Sequence, residues 1–324
     1  MAHADRPLHV VLRGLAIAAV VLVYGAAHAA WPDKAITLVV PFPPGGNTDA
    51  MGRILAKQLT ASLGTTVIVE NKPGAGSMLG SQYVARATPD GYTLLVGSIS
   101  NALNHYFYRK PLYDITKDLV PISQLVNVPN YLAVGPKEKF RSTTDIVDFA
   151  KANPGKLSCA TTGIGTSPYL SCELFKSLAG INIVNVPYKG GAAAMQDAMG
   201  GQVAMVFANE ALPLINSKRL IGIAVTTKER SPLAPDLPAI SETVPGYDVT
   251  AWYGVFAPTG TPQAIVDRLG AEISAAIKDP AVATQLKNLG ATPVGSTPKE
   301  FSAFMSSQLT HWADVIKPMN IFLD

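Results

Sequence analysis

The sequence is poor in the residues from which most active sites are built. Among 324 residues there are two cysteines and five histidines, and charged residues make up only 15%. His3, His9 and His28 fall in an N-terminal stretch that reads as a leader, which leaves His105 and His311 for the folded protein. A Ser-His-Asp hydrolase would have to use one of those two, and no Gly-x-Ser-x-Gly elbow accompanies them. Walker loops and His-Glu-x-x-His patterns are also missing. Two cysteines with no histidine nearby do not make a zinc site. Like charges never run together and the net charge is only +3, far from the basic face that a nucleic-acid binder needs. The expectation is a protein that is not an enzyme, with no cofactor, no metal site and no nucleic-acid partner.

Residues 1–29 carry Arg6 and Arg13, an apolar segment from Leu15 to Ala27, and the small-residue pattern Ala27-His28-Ala29. That is the layout of a signal peptide cleaved near Ala29. The apolar segment is shorter than the roughly 20 residues a spanning helix needs, so an exported, periplasmic protein is expected. The remainder has 24 basic and 22 acidic residues and is long enough for two lobes of roughly 100–200 residues each. Cys159 and Cys172 fall on a predicted strand and on the helix after it. In an exported chain these are either a disulfide or two buried thiols, because sequence does not fix the Cα separation below ~7 Å that a bridge requires.

What the chain does have is a strand–turn–helix device, built twice. Ile36–Val40 is an apolar, β-branched run suited to a strand covered on both faces. Pro41, Pro43 and Pro44 end it, Gly45 and Gly46 open the backbone to a close approach, and Asn47 or Thr48 is positioned to cap a helix whose apolar face is Met51, Ile54, Leu55, Leu59 and Leu63. Unpaired N–H groups at such a helix mouth, beyond the carboxyl end of a strand, make a seat for an anion. Read alone, the stretch is equally a tight turn. The second copy, Ile183 to Pro187 followed by Tyr188, Lys189, Gly190, Gly191 and Ala192, favours two seats closing on one ligand.

Strands and helices alternate along the rest of the chain. Strands are predicted near 67–70, 92–97, 119–128, 131–134, 157–161, 203–207 and 220–225. Ser98–Asn101, Thr162–Ser167 and Ala208–Asn209 follow strand ends, where open parallel sheets bind ligands. The chain is expected to cross between lobes at 128–130 and again within 249–256, giving a two-stranded hinge. Residues 30–129 plus 252–324 then form one lobe, and 130–251 the other. Asp49 in a first helical turn reads as a dipole and capping group that faces aside. Lys189 reads as solvated, His311 as a packing or surface residue, and His105 as a possible cleft residue.

Taken together, Val40-Pro41-Phe42-Pro43-Pro44-Gly45-Gly46 through Asp49, Val-Glu-Asn-Lys-Pro-Gly-Ala-Gly at 69–76, Pro-Asp-Gly-Tyr-Thr-Leu-Leu at 89–95, Val-Pro-Tyr-Lys-Gly at 186–190 and Phe-Ala-Pro-x-Gly-Thr-Pro at 256–262 resemble the Bug, or TctC-type, receptors of tripartite tricarboxylate transporters. The resemblance covers essentially the whole mature chain. It implies an α/β clamshell of the type II periplasmic-binding-protein fold, with mainly parallel sheets, that grips a small carboxylate through backbone N–H groups, hydroxyls and waters. The matching positions are Phe42, Pro44, Gly45, Gly46, Asn47 and Thr48 in the first loop. Thr162, Gly165, Thr166 and Ser167 match in the second. Ser98, Ser100, Asn101, Tyr188, Gly191, Ala192, Ala208 and Asn209 complete the implied pocket. Many relatives have Asp-Asn after the Phe207 strand where this chain has Ala208-Asn209. That departure suggests a less polar distal wall, and a dicarboxylate or aromatic carboxylate over an amino acid. The implied partners are membrane subunits of the transporter, and a monomer is expected. A ligand sensor that signals through a membrane partner is the alternative reading, and an exported hydrolase a weaker one.

Overall fold

The computed structural model describes residues 31–319 and Phe322. The predicted leader lies outside the described residues. No described helix is long and apolar enough to cross a membrane.

Two twisted sheets carry the chain. The first has six strands in the order β11-β4-β10-β3-β1-β2: β1 (Ile36–Val40), β2 (Val67–Asn71), β3 (Thr93–Ser98), β4 (Leu119–Pro129), β10 (Thr250–Pro258) and β11 (Thr292–Pro293). β1 pairs with β2 and β3 in parallel, and β10 lies antiparallel between β3 and β4. The second has five strands, β7-β6-β8-β5-β9: β5 (Tyr131–Val134), β6 (Ser158–Thr161), β7 (Val184–Pro187), β8 (Met205–Ala208) and β9 (Ile221–Val225). Here β6, β7 and β8 run parallel, and β5 is antiparallel to β8 and β9.

Ile36–Val40 lacks alternation, as a strand covered on both faces requires; Leu38, Val39 and Val40 are fully buried. The Pro298–Met319 helix returns to the first sheet and seals it. Trp252, Phe256, Phe301 and Phe304 form one aromatic cluster there, with Trp252 and Phe301 edge to face at 5.7 Å. Phe301 occupies the space left by Gly254, where a Cβ would lie 2.2 Å from its ring.

The chain passes from the first sheet to the second at Asn130 and returns between β9 and β10. Asn130 N–H donates to Thr226 Oγ1 (2.9 Å), Thr226 N–H to the Asn130 carbonyl (3.0 Å), Thr226 Oγ1 to the Val249 carbonyl (2.7 Å) and Val249 N–H to the Thr226 carbonyl (2.8 Å). The expected boundary at 251/252 therefore falls inside β10, whose Thr250 and Ala251 already pair with Pro129 and Val128 of the first sheet. The stretch expected to form the second crossing is instead a central strand, because its apolar run is buried on both faces.

Cys159 and Cys172 stand on β6 and on the Ser167–Ala179 helix, as expected, but both are free and buried rather than bridged. Burial pushes the Cys172 thiol well up, and the neighbouring Cys159 thiol adds to the effect.

Candidate functional site

The carboxyl ends of β1, β2 and β3 and those of β6, β7 and β8 open toward each other across the crossings. Four contacts bring the two rims together. Asn209 Nδ2, beyond β8, donates to the Tyr253 hydroxyl of β10 at 2.9 Å. The Glu210 carboxylate faces the backbone N–H of Asn47. Phe107 of the first unit and Tyr169 of the second meet edge to face at 6.3 Å. A Cβ on Gly76 would lie 3.1 Å from the Ile164 carbonyl.

The first rim is set by the loop after β1. Gly45 adopts φ +91°, open only to residues that tolerate the left-handed region. Its N–H donates to Asp49 Oδ2 at 3.0 Å, and Asp49 also accepts from Arg53 Nε (2.9 Å) and Asn71 Nδ2 (3.0 Å). Burial alone would raise the Asp49 pKa, but these donors together hold it below the ordinary value. Asp49 is thus the loop's fastener, and Gly45 N–H is already spent on it. Neither Asn47 nor Thr48 caps the Asn47–Leu63 helix: Gly46 is the N-cap, without a side-chain bond. The Asp49–Gly45 bond already fastens the turn, so the Asn47 amide stays at the cleft. Asn47 is 7% exposed and its Nδ2 has no partner among the described residues. Thr48 and Asn209 both meet the Tyr253 hydroxyl, whose pKa is driven up by burial and by the nearby Glu210 carboxylate.

After β3 the expected loop is the start of a helix, Ile99–Phe107. Ser98 caps it by accepting from Ser100 N–H, and Asn101 Oδ1 accepts from Ser98 N–H at 2.8 Å, a capping box. Asn101 Nδ2 gives its hydrogens to Ser81 Oγ (2.7 Å) and Tyr113 Oη (2.8 Å). Both amide hydrogens are committed, so Asn101 anchors the helix. Ser98 and Ser100 are buried at 4% and 2% exposure. His105 lies on this helix beside Asp114, 3.9 Å away, and His311 meets Trp312 edge to face at 4.6 Å.

The loop after β2, absent from the expected site, is strained. Ala75 and Ser77 both have positive φ (46° and 86°), a cost of about 1–3 kcal/mol each that surrounding contacts must hold. Asn104 holds it, donating from Nδ2 to the Gly76 carbonyl (2.6 Å) and to Ser77 Oγ (3.2 Å). Asn104 Oδ1 is buried without a partner.

On the opposite rim, Thr166 is the N-cap of the Ser167–Ala179 helix, and its hydroxyl donates to the Gly163 carbonyl at 2.6 Å and lies 3.1 Å from Thr162 Oγ1. Gly165 turns the loop with φ +79°. Ser167 Oγ donates to Asn130 Oδ1 at the crossing (3.2 Å). The Tyr188 hydroxyl donates to Asp197 Oδ2 at 2.7 Å, which pushes its pKa up to about 12 and commits it to the helix beside it. Lys189 and Ala192 are exposed, as are Pro43, Pro44 and Gly45. Phe42 is half-buried, its carbonyl accepting from Asn71 Nδ2 (3.1 Å). Gly191 starts the Gly191–Gly200 helix, and a Cβ there would lie 2.6 Å from Glu210 Oε2. Ala208 is fully buried within β8.

Glu210 is the residue that motif reasoning passed over, although it follows a parallel-strand end by two positions. Where Ala208 leads the sequence reading to a less polar distal wall, a buried carboxylate, Glu210, stands two positions further on. Burial raises its pKa above the ordinary carboxyl value, partly offset by its own N–H and that of Asn47. The folded protein therefore holds this proton more tightly than the unfolded chain. The group favours folding at low pH, and that contribution is lost as pH rises from the ordinary carboxylate range through the raised folded value. The melting temperature of Glu210→Gln minus that of wild type should be near zero at pH 4 and grow positive toward pH 8. A flat difference across that range would show that the carboxyl is not desolvated.

A groove of about 900 Å³ bordered by Val120, Gln263, Lys278 and Lys299 lies between the start of β4 and the 263–278 and 298–319 helices, and none of the rim loops lines it.

Known proteins share this fold. The statistical model of the family described as "Tripartite tricarboxylate transporter family receptor" matches residues 51–321. The solved periplasmic binding protein BugD is 34% identical, with a TM-score of 0.83 over 90% of this chain and 99% of its own. Rpa4515 of R. palustris, solved with adipate, is 33% identical with a TM-score of 0.85 over 90% of this chain and 99% of its own. MatC from Rhodopseudomonas palustris, solved with malate, is 31% identical with a TM-score of 0.82 over 89% of this chain and all of its own.

Proposed function

The chain belongs to the tripartite tricarboxylate transporter receptor family, and from that membership we propose that it is a periplasmic receptor that closes two lobes on a small carboxylate and delivers it, chemically unchanged, to a membrane transporter of the tripartite type. The observation that carries this reading is the convergence of unsatisfied polar groups on the cleft. Asn47 Nδ2 and Glu210 Oε2, at the helix mouths of Gly46 and Gly191, and Asn104 Oδ1, beside the Ala75–Ser77 turn, are sealed from solvent without partners among the described residues. Buried polar atoms left unpaired cost about 1–3 kcal/mol each, so a ligand that pairs them recovers that energy. A helix N-terminus adds ~0.3–1 kcal/mol to a nearby anion, and up to ~2 kcal/mol when partly buried. A few such contacts reach the ~−8 kcal/mol of micromolar binding. Adipate and malate, held by the two neighbours above, are both dicarboxylates, which favours a dicarboxylate here over an aromatic acid.

A thermal-shift screen of the mature protein against carboxylic acids tests the reading. A ligand at about 100 times its Kd stabilises by ~2.7 kcal/mol, which at ~2–4 °C per kcal/mol raises the melting temperature by roughly 5–11 °C. The expected result is such a rise with a narrow set of acids, each recovered intact by mass spectrometry. Conversion of the acid at steady turnover, or stabilisation by cationic or neutral solutes with none by any acid, would overturn it.

A further inference from the structure

The Glu210 carboxylate spans the gap between the two glycine helix mouths. On one side a Cβ at Gly191 would sit 2.6 Å from its Oε2; on the other, a Cβ at Gly46 would sit 3.9 Å from its Oε1. Backbone alone borders it on those sides. Oε2 is sealed from solvent and accepts no hydrogen bond, and among the described residues no salt bridge reaches Glu210. Next to it Asn47, 7% exposed, holds an Nδ2 that donates to nothing. The Glu210 carboxylate accepts from the backbone N–H of Asn47, so this neighbouring pair carries an acceptor without a donor and a donor without an acceptor. A bare carboxylate offers acceptors only: it satisfies Asn47 and the helix N–H groups but meets Glu210 with like charge. A ligand with a hydroxyl, ammonium or un-ionised acid group beside its carboxylate satisfies both.

Resting on the carboxylate-receptor reading above, we propose that Glu210 is a specificity-determining residue that selects carboxylates bearing a hydrogen-bond donor next to the anionic group over plain acids of the same length. The selection has two components. The donor pairs with Oε2, and the plain acid is rejected because it leaves a buried acceptor unpaired and sets two anions side by side. Sites built to pair a ligand's polar group discriminate strongly against analogues that lack it, and a built-in repulsion sharpens the difference.

Isothermal titration with matched probes at pH 7.5 tests this. The probes are succinate, malate and aspartate; adipate with its 2-hydroxy and 2-amino derivatives; and benzoate with salicylate. In whichever series binds, the donor-bearing member is expected to bind wild type about tenfold or more tightly than the plain acid. In Glu210→Gln, which keeps shape and loses charge, the plain acid should gain and the ammonium-bearing member lose, each by about tenfold, so that the order within the series inverts. A wild type that prefers the plain acid overturns the proposal without needing any variant. An unchanged ratio in a Glu210→Gln protein that still binds overturns it as well. Binding of none of these acids by either protein defeats the carboxylate reading itself and takes this proposal with it, a pattern distinct from the other two.

Discussion

Replacing Gly46 by leucine is expected to weaken binding of the cognate acid by at least about 100-fold, ~2.8 kcal/mol at 1.4 kcal/mol per tenfold, while the unliganded protein melts within roughly 3 °C of wild type, since a surface change clear of core contacts costs little. The two halves of that expectation have separate causes. The backbone at Gly46 is extended, φ −89° and ψ 174°, a conformation open to any residue. A Cβ there meets nothing closer than Glu210 Oε1 at 3.9 Å, so folding is not obstructed. The remaining leucine atoms must then extend toward Glu210, into the space from which the helix N–H groups are reached. Removing the approach removes the charge-assisted hydrogen bonds, each worth about 1.5–3 kcal/mol. Calorimetry on the variant reads the affinity, and its melting curve reads the fold. An affinity equal to wild type would demote the loop to a turn between strand and helix.

The largest loss of stability is expected from Phe301→Ala. Phe301 is fully buried and touches the rings of Phe256 (5.0 Å between centroids), Trp252 (5.7 Å) and Phe304 (6.4 Å). Phe→Ala in a core costs about 3–5 kcal/mol, the cavity included, or a fall of roughly 6–20 °C at ~2–4 °C per kcal/mol. The converse substitution is as severe: Gly254→Ala drives a methyl to 2.2 Å from the Phe301 ring, with the Ser123 carbonyl 3.1 Å away on the backbone. Because the two residues share one space, their effects must couple. The double variant Gly254→Ala, Phe301→Leu should lose less than the sum of the two single losses in chemical denaturation. Strict additivity would mean the strand and the terminal helix do not press on each other there.

The architecture was legible where burial writes a simple pattern. Ile36–Val40 and Tyr131–Val134 stand at the expected limits, because apolar runs act locally. The helix after β3 was missed even though Ser98 and Asn101 spell its cap: a cap flush against a strand end looks like a loop when only composition is weighed. The cysteines show a different limit, since chain spacing does not report the distance between side chains. In the cleft, the glycine loops were legible because backbone conformation restricts residue type. Asn101, read as part of the pocket, gives both amide hydrogens to Ser81 and Tyr113. Glu210 and the strained Ala75–Ser77 turn were illegible for a shared reason. Their significance comes from what lies opposite them in space, Asn104 and Ile164 for the turn and Gly46 and Gly191 for Glu210, and no local pattern encodes that.

The mutual bonding of Asn130, Thr226 and Val249 bears on how the cleft opens. Two independent tethers would let the halves shear, twist and splay separately. Cross-stitched by a threonine that serves both strands, the pair acts as a single flexure, and the halves are left with one soft coordinate, like the covers of a book. On the proposed reading, bending of that cover falls on Asn130, Thr226 and Val249.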